Sequence, residues 1–132
     1  PMIVHVAKRE GVYELAREVP KAAEKLMAKF WPGPLTLVLK RSKAVPDIAV
    51  AGLDTVAIRM PDSKVALALI SESGTAIAAP SANLAGRPSP TTAAHVMEDL
   101  AGRVDVVLDA GATRIGLEST VIDMRSDCIQ SY

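Results

Sequence analysis

A polar loop at residues 80–90 carries side chains that are suited to binding a nucleotide. Its candidate ligands are Ser81, Asn83, Arg87 and Ser89, and it follows residues 75–79, a small apolar run that predicts a buried strand. Open α/β sheets bind ligands at the carboxyl ends of their strands. Hydroxyl and amide groups beside an accessible backbone can bind a phosphate or a sugar. An ordinary turn, in which Ser and Asn bond their own backbone, explains the pattern equally well.

Two further charged or titratable residues lie in predicted strands. Arg59 is near the end of the run 55–60, and its planar fork suits a carboxylate or a phosphate. A solvated charge at a strand end is the commoner role, and the functional interpretation requires Ser81 nearby. His5 lies in the apolar run 2–6, where a histidine is more often a core residue than a ligand or a base.

A glycine-flanked segment, residues 111–120, could bind an anion through backbone amides. It lacks the Gly-Lys-Ser ending of a P-loop and the strand-to-helix context of a dinucleotide fingerprint, so neither motif applies. Two separated histidines and one cysteine do not predict a metal site. Magnesium held mainly by a nucleotide would leave little trace in a sequence.

Composition limits the class of protein. The 132 residues include 15 basic and 15 acidic side chains, and this balance argues against wrapping nucleic acid by bulk electrostatics. The hydrophobic fraction of 49% excludes a disordered tail. No apolar run approaches the roughly 18 residues that a membrane span requires. The single cysteine excludes an internal disulfide and suits a reducing cytoplasm. Because the chain opens within an apolar run, we expect it to be a fragment.

Hydrophobic periodicity and turn residues predict alternating strands and helices, which is typical of a layered α/β domain. The predicted strands are residues 2–6, 35–40, 55–60, 75–79, 104–108 and 119–124. The predicted helices are residues 12–19, 21–30, 63–73 and 92–101, and residues 41–54 are predicted to form a long loop. Asp62 or Ser63 is expected to cap the third of these helices, Thr91 or Thr92 to open the fourth, and Gly74 to end the third.

Four ordered blocks of this sequence resemble the Sua5/YrdC/YciO family over residues 1 to about 124. The blocks are Phe30–Leu39, Thr55–Pro61, Ala79–Gly86 and Glu118–Asp123. The resemblance implies a YrdC-like α/β fold with a mixed, twisted open sheet, flanking helices and a concave ligand cleft. It also implies a single domain over residues 1–132 that lacks the family's first strand and helix, the Lys-x-Arg half of its signature and a C-terminal segment.

The resemblance further implies an enzyme, an L-threonylcarbamoyladenylate synthase. Such a nucleotidyltransferase condenses L-threonine, bicarbonate and ATP, accompanied by Mg²⁺, into threonylcarbamoyl-AMP and pyrophosphate for tRNA modification in the cytoplasm. The implied partners are these substrates, RNA and the tRNA threonylcarbamoyl-transfer complex, with no membrane. One alternative is a non-catalytic module that binds a nucleotide or double-stranded RNA. Another is a domain that processes carbamoyl phosphate, as similar domains of hydrogenase maturation proteins do.

Residue roles are carried over from the family to matching positions only. Arg59 is expected to pair with the threonine carboxylate. The substrate-binding residues implied by the resemblance are His5, Arg59, Ser81 and Ser119. The nucleotide-binding residues so implied are Thr55, Ala79, Ser81, Asn83 and Ser89. The resemblance assigns no catalytic residue and no metal ligand, since the reaction depends on positioning and charge stabilisation.

Overall fold

The computed structural model describes residues 1–113 and 120–125, together with the backbone of residues 130–131. The chain divides into two compact units. The first, here called the sheet unit, comprises Pro1–Ala79 and Glu118–Tyr132. The second, the loop unit, comprises Pro80–Leu117. The single domain expected over residues 1–132 stays a prediction.

The sheet unit is built on a mixed six-stranded sheet with the order β4-β1-β3-β2-β5-β6. The strands are β1 (Ile3–His5), β2 (Leu35–Lys40), β3 (Thr55–Arg59), β4 (Ile77–Ala79), β5 (Thr120–Asp123) and β6 (Gln130–Ser131). The pairs β1–β3 and β2–β5 are parallel, and the other three pairs are antiparallel. The predicted α/β fold with a mixed open sheet is thereby confirmed.

Short helices connect the strands. They are a 3₁₀ turn (Arg9–Gly11), α1 (Val12–Leu15), α2 (Lys21–Phe30), α3 (Asp47–Val50), α4 (Lys64–Ser73) and, in the loop unit, α5 (Ala93–Leu100). Of the two candidates at each helix start, Ser63 caps α4 and Thr92 caps α5, because their hydroxyls accept hydrogen bonds from Ala66 N and His95 N. Gly74 ends α4 with φ of 69°, a left-handed conformation that glycine adopts without a steric penalty. No helix in the described ranges has the length and apolar character needed to span a bilayer.

One face of the sheet forms the core. Alternate residues of three strands, among them Val4, Leu37 and Ile58, are buried on that face because side chains alternate along a strand. Ala23 and Met27, one turn apart on α2, join the same apolar cluster. The register then directs the intervening, more polar strand positions to the opposite face of the sheet.

Four expectations differ from the structure. The helix predicted over residues 12–19 ends at Leu15, because the chain then turns extended and Ala16 forms an isolated bridge with Arg41 beside β2. The predicted strand at residues 104–108 is wrong: Val106 is 72% exposed, and no neighbouring strand pairs with this segment among the described residues. A strand needs both a paired edge and a face to bury, and this apolar run has neither. The predicted loop 41–54 contains α3, which begins after Pro46, and β6 had not been predicted.

Candidate functional site

Polar side chains cluster on the second face of the sheet, where β1, β3 and β2 lie side by side. His5 of β1 pairs in register with Arg59 of β3. Thr36 of β2 lies one residue beyond the pair formed by Leu37 and Ile58, which places it beside Arg59. Register partners project to the same side of a sheet, so these side chains form a row. We call His5, Thr36 and Arg59 the sheet site.

Arg59 is half-buried, and its Nε donates a hydrogen bond to Thr36 Oγ1 at 2.9 Å. The Thr36 side chain is fully buried, so this bond is made away from water. Burial lowers the pKa of the Arg59 guanidinium from its ordinary value. The group stays cationic at neutral pH because arginine does not lose its proton in proteins. It is therefore a permanent positive charge with a fixed bond at one of its nitrogens.

The segment between α2 and β2 is fastened to the end of β3. The Trp31 indole donates to Leu35 O at 2.7 Å, and Gly33 N donates to Met60 O at 2.9 Å. A Cβ at Gly33 would lie 2.4 Å from Phe30 O, so glycine is required for this close backbone approach. These contacts explain physically why a Trp-Pro-Gly segment precedes the strand that carries Thr36.

His5 is held by the edge strand β4. Its Nδ1 lies 3.3 Å from Ile77 O, and because a carbonyl only accepts, Nδ1 is assigned the proton in this contact. Burial, and secondly the charge of Arg59, lowers the pKa of His5 below its ordinary value of 6.5. The ring is therefore neutral at pH 7, and Nε2 carries the lone pair that can accept a hydrogen bond.

Thr55 and Ala79 also lie on the polar face. Thr55 is buried at the start of β3, four residues before Arg59, which corresponds to about 13 Å along a strand. Ala79 pairs in register with Ile3 at the edge of the sheet. Their assignment to the nucleotide stays a prediction.

A carboxylate of β5 lies on the same face and pairs with an arginine just beyond the end of the strand. Asp123 is buried and pairs in register with Val38. Arg125 donates to Asp123 Oδ2 from Nε at 2.8 Å and from Nη2 at 2.5 Å. The hydrogen bond from Arg125 is the main cause that lowers the pKa of the Asp123 carboxyl. Neither residue was predicted from the sequence to have a role.

The loop unit holds Ser81, Asn83 and Ser89 on the segment that precedes α5. Asn83 Nδ2 donates to Leu84 O and Arg87 O, each at 2.9 Å, and so closes the turn. Its Oδ1 is buried with no hydrogen-bond partner in the part of the chain that the structure describes. Asn83 therefore stabilises the turn through its Nδ2, while its Oδ1 is left to accept a hydrogen bond from a ligand. Ser81 and Ser89 are exposed.

Asp99 of α5 fixes this loop from the side. Its Oδ2 accepts from Leu84 N at 3.1 Å, and its Oδ1 pairs with Arg87 Nη1. The carboxylate is 9% exposed, so these two donors replace water as its partners. Sequence reasoning missed Asp99, since its loop contacts are 12 and 15 residues away along the chain.

The predicted residues thus fall into two groups. His5 and Arg59 are adjacent in the sheet unit, which also holds Thr55 and Ala79, whereas Ser81, Asn83 and Ser89 share the loop unit without a described contact among them. Ser119 and most of the segment 111–120 lie outside the described residues. Thr36 was missed as well, although one hydroxyl among the leucines of β2 was the signal that could have identified it.

A cleft of about 390 Å³ lies at the other end of the β2–β3 pair. It is lined by Arg17, Arg41, Ser42, Lys43, Gly52 and Asp54. Arg41 pairs with Asp47 at 2.5 Å and donates to Val45 O, so part of the positive charge is neutralised. The lining includes none of the described residues that were predicted to bind substrate.

The fold and the sheet site define an α/β protein of the YrdC-like class, and comparison with known proteins agrees. A model of the Sua5/YciO/YrdC family, described as "Telomere recombination", matches residues 1–131. The threonylcarbamoyl-AMP synthase of Pyrococcus abyssi is 56% identical over 124 residues, which cover 94% of this chain and 36% of that protein. The threonylcarbamoyl-AMP synthase of Bacillus subtilis is 53% identical over 128 residues, covering 96% and 37%.

Structural comparison gives the same result. Sua5 of Pyrococcus abyssi, crystallised with L-threonine, is similar with a TM-score of 0.95 and 53% identity, over 98% of this chain and 38% of that one. The chain belongs to the Sua5/YciO/YrdC family, which confirms the resemblance seen in its sequence. It spans a little over a third of the length of these relatives.

Proposed function

We propose that this chain is part of an enzyme that makes threonylcarbamoyl-AMP from L-threonine, bicarbonate and ATP. The observation that carries the proposal is the fixed, half-buried guanidinium of Arg59 beside a neutral His5, in a chain 56% identical to a threonylcarbamoyl-AMP synthase. A planar guanidinium suits the carboxylate of an amino acid. The neutral His5 accepts a hydrogen bond from a donor of the same substrate, its ammonium or its hydroxyl.

The reaction balances without a nucleophilic side chain. The threonine nitrogen attacks the carbon of bicarbonate, water is lost, and a carbamate forms. A carbamate oxygen then attacks the α-phosphorus of ATP, the bond to the β,γ-phosphates breaks, and pyrophosphate leaves. Arg59 orients the amino acid, while Thr55, Ala79, Ser81, Asn83 and Ser89 are assigned to the nucleotide, and Ser81 and Ser119 also to threonine. The protein contributes positioning and charge complementarity.

Magnesium fits this proposal as a companion of ATP. The described residues contain no group of three or more His, Cys, Asp or Glu side chains that could hold a metal ion. Mg²⁺ keeps several waters and binds readily to substrate phosphates, so a nucleotide can supply its ligands. When bound there, it would neutralise charge on the leaving pyrophosphate. RNA, the tRNA threonylcarbamoyl-transfer complex and a cytoplasmic location belong to the same proposal.

The test is threonine-dependent pyrophosphate release by the full-length protein with ATP, Mg²⁺ and bicarbonate. Arg59→Ala should lower kcat/KM for threonine by about a hundredfold, because a desolvated charge contact is lost. Arg17→Ala is the matched control, since it removes the same charge from an exposed position outside the sheet site. We expect Arg17→Ala to behave as wild type.

Other outcomes select the alternatives. Binding of ATP or double-stranded RNA without turnover supports a non-catalytic module, and an RNA complex would weaken steeply with salt. Turnover that requires carbamoyl phosphate and does not depend on threonine supports a domain that processes carbamoyl phosphate. Equal activity of wild type and Arg59→Ala would show that the sheet site is misassigned.

A further inference from the structure

The buried hydroxyl of Thr36 has a partner that matters for the proposed site. Thr36 is fully buried on the polar face, while its sequence neighbours Leu35 and Leu37 belong to the apolar core on the other face. A buried hydroxyl needs a hydrogen-bond partner, and Arg59 Nε provides one at 2.9 Å. A valine would have almost the same shape without the hydroxyl. The presence of threonine at position 36 is therefore explained by its hydrogen bond to Arg59, since valine would pack in the strand equally well.

The geometry of this bond fixes the orientation of the arginine. Nε lies at the base of the planar guanidinium, so a bond there sets the plane of the group and the direction of both Nη nitrogens. The backbone that leads to Thr36 is itself held by hydrogen bonds, since Trp31 donates to Leu35 O and Gly33 N donates to Met60 O. These bonds fasten the segment 31–36 next to the end of β3.

We propose that Thr36 is a positioning residue for Arg59, whose Nη groups it aligns with the carboxylate of the amino-acid substrate. This inference rests on the proposed function, in which Arg59 binds that carboxylate. Thr36 touches Arg59 and not the reacting atoms, so its effect is on recognition of the carboxylate. Preference for a carboxylate over a neutral amide should therefore depend on Thr36.

The experiment compares binding of L-threonine and L-threoninamide to the full-length protein by calorimetry. Thr36→Val should weaken the affinity for L-threonine by about tenfold, which is the effect of losing one hydrogen bond to a charged group. Its affinity for L-threoninamide should stay within about twofold of the wild-type value. Thr36→Ser keeps the hydroxyl and should restore L-threonine binding to within about threefold of wild type. Ser63→Ala, which removes a helix-capping hydroxyl elsewhere in the same unit, should change neither ligand. Should Thr36→Val fail to fold, Thr36→Ala makes the same test.

The outcomes separate this inference from the proposed function. If Thr36→Val weakens both ligands equally, or weakens neither, Thr36 has a structural role only and the inference is wrong. If Arg59→Ala abolishes the preference while Thr36→Val keeps it, the proposed function stands and the inference fails. If wild type shows no preference for L-threonine over L-threoninamide, both are overturned.

Discussion

In the sheet unit, His5 and Arg59 lie on strands whose relative positions are set by the pairing register. In the loop unit, Asn83 lies on the irregular segment between β4 and α5, where no strand pairing fixes its position. The sheet unit buries a contiguous apolar cluster beneath its strands. Among the described residues of the loop unit, the buried side chain is a carboxylate, Asp99. The two units therefore hold candidate ligands by different physical means.

This difference predicts how each unit responds to a single substitution. Strand register rests on many backbone bonds, so removing one polar side chain leaves the positions of its neighbours unchanged. The loop rests on a few side-chain bonds, two of which end on Asp99. Removing a single one of these side chains should therefore disorder the loop. The loss in free energy of unfolding should be smaller than that caused by a substitution in the core.

The largest effect is expected from the core of the sheet unit. Leu37 is fully buried at the centre of β2, so Leu37→Ala should lower the free energy of unfolding by about 2–5 kcal/mol through lost burial and a residual cavity. Urea denaturation of the full-length protein measures this change. Met97→Ala, at a side chain 47% exposed on α5, is the control and should stay within about 0.5 kcal/mol of wild type. A similar loss from both variants would remove the distinction between the two units.

A smaller and local effect is expected from the loop unit. Asp99→Ala leaves Leu84 N–H and Arg87 without their acceptor, which should cost about 1–3 kcal/mol of local stability. Hydrogen exchange should then speed up at the amides of Leu84 and Arg87 and remain slow at Val4 and Ile58. Asp99→Asn separates the two contacts, because its oxygen still accepts from Leu84 N–H but carries no charge for Arg87. Slow exchange at Leu84 in Asp99→Ala would show that the loop has another support.

Elements with a strong period were predictable from the sequence. The helix Lys21–Phe30 and the strand Leu35–Lys40 were predicted with the bounds that the structure shows, because each places apolar residues on one side. The run 104–108 has the same apolar character and forms no strand. The spacing of apolar residues indicates which side of a segment could be buried. Whether the segment pairs as a strand depends on a partner strand elsewhere in the chain.

The site was predictable as a set of residues but not as a set of contacts. Family resemblance indicated Arg59 and His5, yet their adjacency arises from the parallel pairing of β1 and β3, which are far apart in the sequence. Thr36 and Asp99 act through bonds to residues 23 and 12 positions away, respectively. Such bonds are consequences of the tertiary fold, so a local pattern can mark an unusual polar residue, such as Thr36 among the leucines of β2, but cannot identify its partner.

The smallest effect tests the sheet site through pH. The lowered pKa of His5 means that the unfolded chain binds this proton more readily than the folded chain. The stability linked to His5 is therefore fully present above its ordinary pKa of 6.5 and is lost as pH falls through the lowered pKa. His5→Gln has no titrating ring. As the pH falls from about 7.5 to about 5, wild type should therefore lose unfolding free energy relative to this variant. Threonine affinity should fall over the same interval, because protonation converts Nε2 from an acceptor to a donor. If the difference in unfolding free energy stays constant with pH, His5 has the same pKa in the folded and unfolded states, and the sheet does not hold it neutral.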